Sequence, residues 1–175
     1  MEILNVIDDM GNVIAKKEKD EVYKTGGRHK TVHIWIMNSN KEILMQKRSP
    51  EKETYPNLWA ISCAGHVRSY EESIGAAVRE LREELGIKAK EEDFKYLFTI
   101  ECERFVDGLD LTTIDDIYLI ELEIDIDAAK LQLTELTDLK YVYYEYLEQI
   151  LNSNDPLYVP KSEEHDKLFE YLRSI

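Results

Sequence analysis

One segment sets the layout of the whole chain. Between Glu71 and Leu85 the apolar residues Ile74, Val78, Leu81 and Leu85 recur at i, i+4, i+7 and i+11, the period of a helix with a single apolar stripe. Gly86 follows as a fitting C-cap and Ser69 precedes as a candidate N-cap. Most of the remaining chain has strand character. Ile3 to Ile7 and Val13 to Ala15 flank the turn cluster Asp8-Asp9-Met10-Gly11-Asn12, which predicts an N-terminal β-hairpin. Residues 16–24 read as a charged connector that ends at Gly26-Gly27. Val32, Ile34 and Ile36 then alternate with His33, Trp35 and Met37, and after Asn38-Ser39-Asn40 the run Ile43-Leu44-Met45 leads to Lys47 and Arg48. Residues 49–57, with Pro50 and Pro56, form a loop, and 59–64 a short strand ending at Gly65. Beyond the helix, strands are predicted over 96–102, 117–124 and 139–144, a short helix over 145–151 and a closing helix over 162–172 with Leu168, Phe169 and Leu172 on one face. A helix with strands on both sides of it in sequence predicts a mixed α/β sandwich, one domain over residues 1–175 with residues 1–28 as an N-terminal hairpin extension.

Composition narrows the function classes. A chain of 175 residues with 43% hydrophobic and 33% charged content suits one packed domain. Its formal charge of -14 repels nucleic acid polymers and anionic membrane surfaces. No apolar run approaches the roughly 20 residues that cross a bilayer, and no basic segment with an apolar stretch opens the chain, so the expected location is cytoplasmic. Cys63 and Cys102 have no further cysteines at ligand spacing, which suggests neither a disulfide framework nor a thiolate zinc site.

The chemistry concentrates on the helix. Glu80, Glu83 and Glu84 stand at i, i+3 and i+4 and are expected to share one patch, roughly opposite the apolar stripe. Like charges so placed destabilise a helix by about 0.2–0.5 kcal/mol per pair, so removing all three is expected to stabilise the metal-free chain. A divalent cation resolves the conflict, and clustered carboxylate oxygens suit Mg2+ or Mn2+. The bland alternative is a solvated acidic face with local pairs such as Arg79 to Glu83.

The wider spacing is more specific. From Gly65 the chain reads five residues, Glu71, seven residues, Arg79-Glu80-Leu81, one residue, Glu83-Glu84, one residue, Gly86-Ile87. In this the sequence resembles the MutT/Nudix hydrolases, whose signature box it matches in full over 65–87; a chance match in a chain of this length is on the order of one in a million. The N-terminal hairpin, His33-Ile34-Trp35-Ile36, Gln46-Lys47-Arg48-Ser49, Trp59 and the closing helix are similar to the bacterial Nudix proteins related to isopentenyl-diphosphate isomerase. The resemblance implies an α/β/α sandwich with a mixed sheet. It also implies Mg2+, or Mn2+, held by Glu80, Glu83, Glu84 and the carbonyl of Ala64, with Glu84 the foremost ligand. Glu80 or Glu83 would take the proton of the attacking water. Arg79 and Glu71 would brace loop and helix, Gly65 would allow close backbone approach and Gly86 would stop the helix. A carboxylate on a later segment is a second source of the base; Asp116 is preferred over Glu101, Glu103, Asp115 and Glu135.

Arg28, Lys47 and Arg48 are candidates to meet substrate phosphate, though Lys47 and Arg48 leave a strand on opposite faces; Arg68 is a further cation. Trp35, Trp59 and Tyr55 are aromatic candidates for covering a base, or core residues at strand spacing. The implied partner is a small-molecule diphosphate, with a homodimer left open. The polar segments 28–30, 49–59 and 103–113 would choose the attached group, and they suit a nucleotide or phosphorylated sugar. Two other readings remain at this level. An isomerase would need a cysteine where Ala64 stands, and three metal-binding histidines. His33 and His66 fall near two of these, and later glutamates near Ile114 and Asp116, while His29 and His33 lie about 13 Å apart along a strand. A binding module without turnover would be expected to lose box carboxylates, and none is lost.

Overall fold

The computed structural model describes residues 2–106 and 109–175. The N-terminal hairpin pairs β1 (Ile3–Ile7) with β2 (Val13–Glu18) in antiparallel register. Its turn is organised by the Asp8 carboxylate, which accepts from the N–H groups of Met10 and Asn12 at 2.9 and 2.8 Å, while Gly11 takes φ 83°. The expected charged connector is instead a helix, α1 (Lys19–Thr25). Lys19, Glu21 and Lys24 are good helix formers, Lys17 at the end of β2 pairs with Glu21 at 2.9 Å, and the helix's single buried residue, Val22, packs with Leu4, Val6 and Leu111. One apolar residue in two turns leaves no periodicity to read.

A seven-stranded mixed sheet forms the body. Its strands are β3 (His29–Met37), β4 (Glu42–Arg48), β5 (Trp59–Ala60), β6 (Cys63–His66), β7 (Phe94–Val106), β8 (Leu109–Glu121) and β9 (Leu136–Tyr143). The order is β5-β4-β3-β8-β7, with β6 added to β3 and β9 to β4; of these strand pairings β3–β8 is parallel and the others antiparallel. The single strand expected over 59–64 is thus two strands, and Gly65 lies inside the second. Ser62 causes the break. Its hydroxyl donates to the Leu44 carbonyl at 2.6 Å and accepts from the Ile36 N–H at 2.9 Å, so the chain crosses from the β4 edge to the β3 edge there. The segment 103–113, expected as a loop, is mostly strand: Glu103 pairs with Thr112, and residues 107 and 108 lie outside the described residues.

Alternation along the strands feeds two cores. Val32, Ile34, Ile36, Leu44, Cys63 and Tyr118 pack on α2 (Ser73–Leu85). Trp35, Met37, Ile43, Met45, Ile117 and Leu119 pack on α3 (Tyr144–Asn152) and α4 (Glu163–Arg173), where Leu168, Phe169 and Leu172 are buried as expected. This is the α/β/α sandwich with an N-terminal hairpin. Gly86 ends α2 at φ 70° with its N–H on the Arg82 carbonyl. The helix starts later than its sequence suggests, with Glu72 and not Ser69 at the N-cap; the Ser69 N–H is held by the Ile3 carbonyl at 2.8 Å.

Candidate active site

The loop between β6 and α2 is assembled around one guanidinium. Arg79 donates to both Glu71 carboxylate oxygens at 3.1 and 2.6 Å, to Glu80 at 2.6 Å, to Glu83 at 3.1 Å and to the His66 carbonyl at 2.9 Å. Glu71 in turn accepts from the Arg68 N–H at 2.9 Å, and Arg68 reaches Glu83 at 3.3 Å. Five donors in a fixed fork are what this brace requires, and lysine offers no such geometry. Gly65 meets the helix so closely that a Cβ there would lie 2.1 Å from Cδ of Glu80. Its lack of a side chain is a matter of space.

The three helix carboxylates are not equivalent. Glu83 is exposed, whereas Glu80 and Glu84 are buried on the same side as Ala76, Ala77, Leu81 and Leu85. The expected placement of all three opposite the apolar stripe is therefore corrected: Val78 is only half-buried, and two glutamates share the face that packs on the sheet. The expectation that removing all three stabilises the metal-free chain is weakened too, since Arg79 pairs with Glu80 and Glu83. Glu84 is the exception. Its Oε2 is buried with no hydrogen-bond partner among the described residues, and only the Cys63 thiol, on the α2 side of β6, reaches the carboxyl group. Burial pushes Glu84 up to about 8, with Glu80 and Glu135 adding to the rise and Cys63 and Lys52 opposing it. Burial likewise lifts Glu80 to about 7 against the pull of Arg79.

This chemistry fits a divalent cation. An orphaned buried carboxylate oxygen on Glu84, one turn from a second buried carboxylate, Glu80, that packs against Gly65, is a set of hard oxygen donors short of positive charge. Among the described residues no three acidic, histidine or cysteine side chains converge as a ready cage. Arg79 draws Glu80 and Glu83 toward itself, so these two would have to turn to join Glu84. Ala64 is half-buried beside the opposite core, so its side chain faces away from α2 while Cys63 faces it, the alternation its sequence position implies.

Other expected residues are spread more widely. Asp116 accepts from Ser73 and Thr99, both at 2.5 Å, and pairs with Lys30 at 3.6 Å, at the N-terminal end of α2. Ser73 lies seven residues before Glu80, about 10 Å along the helix. Arg28 grips Glu101 and Asp9. Arg48 holds the Thr54 carbonyl at 2.9 Å and so braces the loop after β4, and Lys47 stands 6.0 Å from the Trp59 ring. Trp35 is fully buried core, Trp59 carries Lys140 at 3.9 Å over its ring, and Tyr55 is exposed. His66 stacks on His29, ring centroids 5.4 Å apart, and meets Tyr23 at 2.9 Å. His33, which the isomerase alternative would bring to one metal with His66, is hydrogen-bonded to Glu164 of α4 at 2.8 Å. The register separates the two: Thr31, not His33, stands opposite His66 in the β3–β6 pairing. Sequence reasoning passed over Lys52, which pairs with Glu135 at 2.5 Å within the field of Glu84. Only its place in the 49–57 loop hinted at it.

The NUDIX domain model matches residues 27–165. The chain belongs to the Nudix hydrolase family. It is 36% identical over 166 residues to Nudix hydrolase 3 of Arabidopsis thaliana, covering 91% of this chain but 22% of that protein, so it spans about a fifth of that relative's length. An uncharacterised Nudix hydrolase of Clostridium acetobutylicum is 33% identical over 156 residues, 87% of this chain and 75% of that one. An isopentenyl-diphosphate delta-isomerase of Gibberella zeae is 31% identical over 165 residues, 84% of this chain and 64% of that one. In fold, this Nudix chain superposes on DR0079 from Deinococcus radiodurans with TM-score 0.73 at 20% identity, covering 94% and 96% of the two chains. No helix among the described residues is long and apolar enough to cross a membrane.

Proposed function

We propose that the protein is a Mg2+-dependent pyrophosphohydrolase that cleaves a diphosphate linkage in a nucleoside diphosphate derivative or a related organic diphosphate. The observation that carries this reading is Glu84, buried with an unpartnered oxygen one turn from Glu80 at the close approach of Gly65. Glu84, Glu80, Glu83 and the Ala64 carbonyl would hold the cation. When bound, Mg2+ or Mn2+ supplies charge neutralisation on the diphosphate and lowers the pKa of a coordinated water.

The chain's own residues do the rest. Arg79 fixes the helix against the loop, so the carboxylates are offered to the cation from one braced element. Either Glu80 or the more exposed Glu83 can accept a proton from the attacking water. Asp116 is committed to Ser73 and Thr99 at the far end of α2, which favours the helix carboxylates as the base. Arg28 is held by Glu101 and Asp9, Arg48 by Thr54, and Lys47 shares the sheet face of Trp59, on the side of α3 and α4; this leaves Lys52, on Glu135, as the candidate cation for the phosphate chain. Ala64 offers neither thiol nor acid for protonating an alkene, which weighs against the isomerase reading despite the isomerase relatives.

A phosphate-release screen with Mg2+ and Mn2+ against nucleoside diphosphates and triphosphates, nucleotide sugars, dinucleoside polyphosphates and prenyl diphosphates tests the proposal. Glu84→Gln and Glu83→Gln are each expected to lower turnover about a hundredfold or more while the protein stays folded. Undiminished turnover in both variants would remove the metal assignment. Conversion of isopentenyl diphosphate to its allylic isomer, with no phosphate released from any substrate, would overturn the hydrolase reading.

A further inference from the structure

Two buried carboxylates and a third nearby on a different segment form an excess of negative charge that a folded protein must offset. Glu84 and Glu80 come from α2. The segment before β9 docks on the end of that helix, where the Gln132 N–H donates to the Glu84 carbonyl at 2.9 Å, and three residues later it brings in Glu135. Arg79 already serves Glu71, Glu80, Glu83 and a carbonyl, so its donors are spent before Glu84 is reached. One ammonium is delivered from elsewhere. The loop after β4 folds onto the same segment through the Ser49 N–H on the Glu135 carbonyl at 2.9 Å, and Lys52 pairs with the Glu135 carboxylate at 2.5 Å.

We propose that Lys52, seated on Glu135, is the protein's internal counter-ion for the Glu84 carboxylate, and that a divalent cation entering at Glu84 displaces it. The inference rests on the metal reading given above and adds to it an exchange of one cation for another. Three observations make the exchange feasible. The Glu84 Oε2 lacks a hydrogen-bond partner among the described residues, so a ligand atom is in place that the Lys52 ammonium, held on Glu135, does not bond. Both members of the ion pair are partly open to solvent, at 28% and 31% side-chain exposure, so neither is locked in by packing. The four-carbon stem of lysine lets the ammonium swing away while Arg48, bonded to Thr54, keeps the loop backbone in place. Once released, Glu135 becomes available as a further oxygen donor beside the helix carboxylates, and the ammonium stays at the mouth of the site.

Direct Mn2+ binding to the full chain, followed by electron paramagnetic resonance or calorimetry, separates this exchange from catalysis. Lys52→Met should bind Mn2+ roughly three- to tenfold more tightly than wild type and melt at a lower temperature in EDTA, because a competing positive charge is gone. Lys52→Arg should behave as wild type. Glu135→Gln should weaken Mn2+ binding, and Lys52→Met made in that background should gain much less affinity than it does alone. Unchanged or weaker Mn2+ binding by folded Lys52→Met, or an equal gain in the Glu135→Gln background, would overturn the proposal. Absence of Mn2+ binding by wild type would instead remove the metal reading beneath it, an outcome distinct from the first.

Discussion

At the scale of single residues, Glu84 and Glu80 tie stability to pH in a direction opposite to most carboxylates. Each is raised above its unfolded value near 4.5, to about 8 and about 7, chiefly by burial. A carboxyl group whose folded pKa is raised binds more protons when folded, so its contribution is fully present below the unfolded value and is lost as pH rises through the folded one. In EDTA the melting temperature should therefore fall between about pH 5 and pH 9, by on the order of 5–10 °C. Glu84→Gln should flatten that slope and raise the melting temperature at pH 8. Glu80 and Glu83 have Arg79 as a partner, so removing all three carboxylates should not improve on Glu84→Gln alone. A metal-free melting temperature that climbs steadily to pH 9 would contradict this account.

At the scale of elements, α4 shows how a buried charge can fix a helix on a sheet. Glu164 accepts from Trp35 Nε1 and His33 Nδ1, both at 2.8 Å, so one carboxylate at the start of α4 grips two side chains of β3. Burial opposes its ionisation, yet His33 holds it below the ordinary carboxylate range. The stability it confers is present above its unfolded pKa and is lost on acidification through the folded one. Glu164→Ala leaves both donors unsatisfied and should cost about 3 kcal/mol in urea unfolding at pH 7, with Glu164→Gln costing less. A change below about 0.5 kcal/mol would show that apolar packing of Leu168, Phe169 and Leu172 alone seats the helix. The comparison also shows what sequence can convey. The closing helix and its apolar face were legible because three large residues share one side, and the box was legible because its spacing is rare. The partners were not. Lys52 to Glu135, His29 to His66 and Glu164 to Trp35 are contacts between residues far apart in the chain, set by strand order and register, which periodicity does not carry. α1 was missed for a different reason, having one apolar residue to bury.

At the scale of the whole molecule, the charge of -14 and the site act through different physics, and salt can tell them apart. With 36 acidic against 22 basic residues, self-repulsion is spread over the surface and falls off with the Debye length, about 10 Å at 0.1 M ionic strength. Raising NaCl from about 10 to 300 mM in EDTA should therefore stabilise the protein modestly, since screening the net excess outweighs the loss of exposed pairs such as Lys90 to Glu92. The carboxylates at Glu84 and Glu80 are buried, and distant ions screen them poorly. Mn2+ below about 1 mM contributes little to ionic strength, so any large stabilisation it brings at 300 mM NaCl must come from direct ligation. The expected result is a Mn2+-dependent rise in melting temperature that persists in high salt for wild type and collapses in Glu84→Gln. If 300 mM NaCl alone reproduced the Mn2+ effect, or Glu84→Gln kept it in full, the cation would be acting on the diffuse charge of the surface, and the helix carboxylates would not be its site.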